Sequence, residues 1–145
     1  MSPAVEKRFL LDCSAWSRMK AGQLDEQKVL SRYVDDRSVL VTTTAQILEM
    51  LFTARNPAKW DALRAELVQH SLLPHTRRTH ELAVDIQGRL WRCGRKRSVG
   101  VIDVTVAAAA VQYGAIVVHY DSDFEHIAHV VPEFVHEWVV PRGSL

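Results

Sequence analysis

Cysteine is scarce in this chain. Cys13 and Cys93 are the only two, they lie far apart, and neither belongs to a paired-spacing motif. That excludes a disulfide framework and a zinc knuckle. Long apolar runs are missing too. The longest, Val104–Val111, contains Thr105 and is flanked by Asp103 and Gln112, well short of the ~20 residues of a membrane span. Near the start there is only Phe9-Leu10-Leu11, against the roughly 7–15 residues of a secretory apolar core. A soluble, cytoplasmic protein without membrane contact is the expectation. Nor is there an excess of charge of one sign: Lys plus Arg is 18, Asp plus Glu is 17, and the net charge is +1. As an average, that balance argues against a uniformly basic nucleic-acid binder. Repeats, low-complexity tracts and Ser/Gly linkers are also absent. What remains is 48% hydrophobic and 24% charged residues over 145 positions, enough for one domain with a real core and too apolar for a disordered segment.

The neutral total conceals a segregated distribution. Residues 70–98 carry seven basic residues (Arg77, Arg78, Arg89, Arg92, Arg95, Lys96, Arg97) against Glu81 and Asp85. Residues 103–137 carry six acids and no Lys or Arg. A basic arm able to steer phosphates thus precedes an acidic segment able to hold a cation.

Hydrophobic patterning predicts alternating strands and helices. Phe9-Leu10-Leu11, Ser38–Thr42, Ala115–Tyr120 and Val135–Val140 read as strands. Ser14 is placed to cap a short helix reaching about Met19, and Asp12 can serve the same end. Helices are expected over Leu24–Asp35 and after Thr43 or Thr44, the latter with Ile47, Leu48, Leu51 and Phe52 at helical spacing. Another follows Asn56-Pro57, carrying Trp60, Leu63, Leu67 and His70. Further helices are expected over Thr79–Trp91, from Asp103 to Gly114, and over Asp123–Ala128. Alternation of this kind implies an α/β sandwich with a mostly parallel sheet. In such sheets the working crevice lies at the carboxyl ends of the strands.

The acids fall where that crevice would be. Asp12 directly follows the first strand, Asp121 follows the Ala115–Tyr120 strand, and Asp123 lies two residues on. Asp103 starts a helix and Glu49 rides the helix after the second strand. Carboxylates crowded at one sheet edge repel each other, and a hard divalent cation resolves the repulsion. Read singly, each acid has a plainer role. Asp103 can be a first-turn acid favoured by the helix dipole. Asp12 and Asp123 can be helix caps, and Glu49 can face solvent. The conjunction carries the inference. The seven histidines, His126-x-x-His129 among them, lack Cys partners and finger spacing, and are read as packing or surface groups. A phosphotransfer domain also places Asp at strand ends. It would want a lysine after a late strand, and residues 103–141 hold none.

The motifs resemble those of one family. Phe9-Leu10-Leu11-Asp12-Cys13-Ser14-Ala15-Trp16 resembles the opening strand of PIN-domain proteins, and Thr44–Leu51 the helix of the second acid. Ser98–Ala110 is similar to the third-acid helix, Val118–Glu125 to the Asp-x-Asp-Phe motif, and Glu137–Pro141 to the last strand. The match spans residues 9–141 and is specific at the level of the VapC toxins, the ribonuclease half of type II toxin–antitoxin pairs. It implies a PIN-like three-layer α/β/α sandwich, with residues 1–145 as a single PIN domain and 142–145 as a C-terminal tail. It further implies a Mg²⁺- or Mn²⁺-dependent endoribonuclease that cuts structured RNA, a tRNA or rRNA loop, leaving a 3′-hydroxyl and a 5′-phosphate. The resemblance makes Asp12, Glu49, Asp103 and Asp121 the catalytic acids. Asp12, Asp103, Asp121 and Asp123 would hold metal, while Ser14, Arg95 and Arg97 would support water or phosphate. A VapB-type antitoxin and a homodimer are the expected partners. Cys13 departs from the family's usual Thr or Ser, which puts a polar role there in doubt. The competing expectation is a PIN-like module that binds RNA or protein without turnover. The presence of all four acids favours the enzyme.

Overall fold

A computed structural model of the chain describes residues 7–95 and 99–145. Its elements are β1 (Lys7–Leu11), α1 (Cys13–Lys20), α2 (Glu26–Tyr33), β2 (Ser38–Thr42), α3 (Thr44–Phe52) and α4 (Pro57–Leu67). After them come β3 (Ser71–Leu72), α5 (Arg77–Arg92), α6 (Val101–Tyr113), β4 (Ala115–His119), α7 (Asp123–Val130) and β5 (His136–Trp138). The strands form one sheet in the order β3-β2-β1-β4-β5, and every described pairing is parallel.

Register and side-chain alternation create the layers. Phe9 and Leu11 of β1 point to one face with Leu40, Val118 and the apolar sides of α1 and α2. Leu10 points to the other, with Val41, Val117 and helices α5, α6 and α7. Both faces are therefore covered, as a parallel sheet requires. Helix α6 is apolar nearly all round; Val104 and Val106 to Ala110 are buried, as expected of a helix packed on several sides.

Local chemistry sets the helix ends. Asp25 accepts from Lys28 N at 3.2 Å, Thr43 from Gln46 N at 3.1 Å, and Asn56 from Lys59 N at 2.9 Å with Pro57 in the first turn. Gly114 stops α6 in the left-handed region, φ 67°, where glycine carries no Cβ penalty. Asp12, rather than Ser14, caps α1: its Oδ2 accepts from Ser14 N at 3.0 Å. Three further expectations shift. α6 begins at Val101, so Asp103 lies in its first turn rather than at its start. α4 ends at Leu67, leaving His70 outside it, and β5 spans only three residues. The short β3 has no apolar run to announce it; it pairs with Val41 and Thr42 at the sheet edge.

The expected apolar face of α3 is rotated. Leu48 is 60% and Phe52 92% exposed, while Gln46, Met50 and Leu51 are buried. A polar side chain thus occupies the inner stripe. The tail is held against the domain. Arg142 pairs with Glu125 at 2.8 Å, and Leu145 N donates to the Tyr120 hydroxyl at 2.9 Å. Among the described residues no helix is long and apolar enough to cross a membrane.

Candidate metal centre

The strand order fixes where a site can form. From β1 the chain moves outward through β2 and β3; after α6 it returns to β4 on the other side of β1 and proceeds to β5. The reversal lies between β1 and β4, and a crevice opens at their carboxyl ends. Asp12 and Asp121 follow those two strands, and Asp12 N donates to Val118 O at 2.9 Å across them. α3 brings Glu49 and the first turn of α6 brings Asp103. All four line one cleft of about 490 Å³, together with Cys13, Ser14 and Arg18.

The acids are held from behind by the backbone. Asp12 is 2% exposed; its Oδ2 is occupied by the α1 cap and its Oδ1 is buried without a hydrogen-bond partner. Asp121 Oδ1 accepts from Asp123 N at 2.9 Å. Asp121 N donates to Nδ1 of the fully buried His119 at 3.1 Å. That bond makes Nδ1 an acceptor, so the His119 proton sits on Nε2 and is donated to His136 Nδ1 at 2.8 Å. Burial, with His136 adding to it, pushes His119 down to about 3 and keeps the ring neutral. Ser14 Oγ accepts from Tyr120 N at 2.8 Å, tying α1 to the end of β4.

Gln46 braces the opposite side. Its Nε2 donates to the Leu11 carbonyl, its Oε1 accepts from Thr42 Oγ1 at 2.9 Å, and its carbonyl accepts from the Cys13 thiol at 3.5 Å. The buried side-chain amide thus joins α3 to β1 and β2 beside Asp12, and the Gln46 main-chain carbonyl adds a link to α1. Burial pushes the Cys13 thiol up, so it acts as a weak neutral donor. Gln46→Leu removes the donor to Leu11 and the acceptor for Thr42. It is expected to cost about 1–3 kcal/mol in urea unfolding; a loss below ~0.5 kcal/mol would show the brace to be dispensable.

Electrostatics match the crowding. Burial raises the Asp103 carboxyl to about 8, and Asp12, Asp121, Asp123 and Glu49 push the same way. The α6 dipole favours an ionised acid here, but a helix terminus contributes only about 0.3–1 kcal/mol, and burial overrides it. Glu49 is raised by burial and then by Asp12. Asp12 is raised chiefly by burial against the pull of its Ser14 bonds, and Asp123 by burial and then by Asp121. Asp103, Asp121 and Asp123 each offer a ligand atom, all within 4.8 Å of one another. That all-oxygen donor set suits a hard divalent cation; Asp12, whose buried Oδ1 is unpartnered, lines the same cleft as Asp103 and Asp121 but stands outside this group of three.

Among the other residues singled out by sequence, Ser14 lines the cleft. Arg95 does not: its Nη1 lies 2.6 Å from His126 Nδ1, tying the end of α5 to α7. Arg97 lies outside the described residues. Trp16 is 1% exposed and stacks on His70 at 5.5 Å, which removes it from any contact with substrate. Arg18, which no sequence pattern marks, stands in the cleft with its guanidinium carbon 4.3 Å from the Tyr120 ring centroid.

Comparison with known proteins places this geometry. A PIN-domain family model matches residues 9–130. Ribonuclease VapC51 of Mycobacterium tuberculosis is 30% identical over 141 residues, covering 95% of this chain and 97% of that protein. Ribonuclease VapC18 of the same organism is 30% identical over 139 residues, covering 94% and 98%. In structure, the chain resembles VapBC from Salmonella typhimurium, solved bound to DNA. The TM-score is 0.75 at 18% identity, over 92% of this chain and 99% of that one.

Proposed function

The chain belongs to the PIN-domain family, in its VapC ribonuclease branch, and we propose that it is a metal-dependent endoribonuclease toxin neutralised by a VapB-type antitoxin. The observation that carries the metal dependence is the convergence of Asp12, Glu49, Asp103 and Asp121 on one cleft, with Asp12 Oδ1 buried and unpartnered.

Asp12, Asp103, Asp121 and Asp123 would hold the divalent cation, Mg²⁺ or Mn²⁺. Bound there, it would lower the pKa of water and neutralise charge developing on a phosphodiester. The chain's own groups do the rest. The α1 cap fixes Asp12 with Oδ1 free, and the Asp123 amide and His119 fix the Asp121 turn. Glu49 lines the same cleft with a raised carboxyl pKa, which suits it to accept the proton of an attacking water. In-line attack at phosphorus leaves a 3′-hydroxyl and a 5′-phosphate. The substrate is a structured tRNA or rRNA loop.

Asp12 has two duties that substitution separates. Asn caps helices as well as Asp does and carries no buried charge, so Asp12→Asn is expected to fold with a melting temperature at or above that of wild type and to lose cleavage. Asp12→Ala should lose cleavage and also about 1 kcal/mol of stability. Full activity in Asp12→Asn would remove Asp12 from the site. The target is read by inducing the protein in a bacterial host and sequencing the new 5′ ends of cellular RNA. Recurrent cleavage at one tRNA or rRNA loop is the expected pattern. An RNA population indistinguishable from that of the Asp12→Asn control would contradict the ribonuclease reading.

A further inference from the structure

Arg18 stands in the acidic cleft without joining the acids. It is half-buried on the cleft-facing side of α1 and lines the same cavity as Asp12, Glu49, Asp103 and Asp121. A guanidinium so placed would ordinarily fold onto a carboxylate, because charge-assisted bidentate pairing is the strong option. Here it does not. Nη1 donates to its own helix, to Ser14 O at 2.9 Å, and the guanidinium carbon lies 4.3 Å from the Tyr120 ring centroid. Among the described residues Arg18 makes no ion pair; Lys20, two positions on, makes two, with Glu26 and Glu66. The carbonyl and the ring hold the guanidinium in place while leaving its charge unneutralised.

Such an arrangement suits a ligand that brings its own negative charge. Arginine carries five N–H donors in a planar fork matched to phosphate oxygens, and one is spent on Ser14 O. The cleft otherwise presents carboxylates that repel a polyanion. Tyr120 places the guanidinium beside the turn that carries Asp121, so a strand entering the site meets Arg18 next to the scissile region. Its support is also shared with the acids: Tyr120 N is bound by Ser14 Oγ, and Ser14 N by Asp12.

We propose that Arg18 is the substrate-phosphate anchor of this site, binding a non-bridging oxygen of the RNA backbone next to the bond that is cut. The proposal rests on the ribonuclease reading and names the substrate contact that reading lacks. An anchor contributes to binding rather than to the chemical step. Arg18→Gln is therefore expected to raise KM roughly tenfold, the order associated with a hydrogen bond to a charged group, with kcat within about threefold. Arg18→Lys keeps the point charge and should recover part of the loss.

The test uses an RNA oligonucleotide spanning the mapped cleavage site. Steady-state cleavage in Mg²⁺ is measured beside fluorescence-anisotropy binding to the Asp103→Asn protein, with and without Arg18→Gln, over a KCl series. Removing one phosphate contact should flatten the slope of log K against log salt by about 0.7, with Arg18→Lys restoring it. An unchanged KM and salt slope would overturn the proposal, as would a fall in kcat at constant KM. A wild type that binds this RNA without cleaving it would remove the ribonuclease reading and leave the salt slope to decide on Arg18.

Discussion

Asp103→Asn is expected to reduce RNA cleavage at least about 10³-fold while leaving the metal-free protein more stable than wild type at pH 8.5. The first effect follows from the site's charge. Loss of a single preorganised electrostatic contact commonly costs about 10²–10³ in rate, and Asn would remove an oxygen proposed to hold metal as well as a negative charge. The second effect follows from linkage. The Asp103 carboxyl is raised to about 8, above its unfolded value. The folded protein therefore binds more protons than the unfolded chain between those two values, and stability falls as pH rises through that window. A neutral amide of the same shape escapes the penalty. Thermal melts of both proteins at pH 6 and pH 8.5 check this, with the variant's advantage already present at pH 6 and larger at the higher pH. Cleavage within tenfold of wild type, or a variant less stable at pH 8.5, would contradict the role given to Asp103.

The second large effect concerns the cation itself. Below about pH 8 a metal ion would have to displace the proton that burial, with the neighbouring acids, keeps on Asp103, so binding would release a proton. Apparent Mg²⁺ affinity is expected to rise with pH between 6 and 8, by up to about tenfold per unit for one displaced proton. A hundredfold excess over Kd stabilises the fold by about 2.7 kcal/mol, roughly 10 °C for a chain of this size. The Mg²⁺-induced rise in melting temperature should therefore be larger at pH 8.5 than at pH 6 at one fixed concentration. Asp103→Asn should abolish the difference between the two pH values. A shift equal at both, or none at either, would separate the acids from metal binding.

Legibility in the sequence tracked how local each determinant is. β1, β2 and β4 are short β-branched or apolar runs, and Thr43, Asn56 and Gly114 are boundary signals whose chemistry acts within a few residues. Asp12, Asp121 and Asp103 are legible because they stand at strand ends or in the first turn of a helix, positions a parallel sheet brings together; Glu49, mid-way along α3, has no such signal. Less legible were features decided across the fold. Leu48 and Phe52 look like core by spacing, yet Gln46 takes the inner stripe of α3 because Leu11 and Thr42 satisfy its side-chain amide from other elements. Arg95 looked like a phosphate contact by its basic neighbours, yet it is committed to His126. Arg18 carries no pattern signal, since a single arginine on an eight-residue helix is ordinary. Only the placement of Tyr120 and the acids gives it meaning. β3 is set by pairing with β2 rather than by two unremarkable residues.

The role proposed for the converging carboxylates is to work through a divalent cation in cutting RNA. Its most direct test is cleavage of tRNA and rRNA by the purified protein after dialysis against EDTA, before and after Mg²⁺ or Mn²⁺ is restored. The expected result is no cleavage without metal, discrete products on its return, and none from Asp103→Asn under either condition. Cleavage that persists in EDTA, or that Asp103→Asn retains, would contradict it.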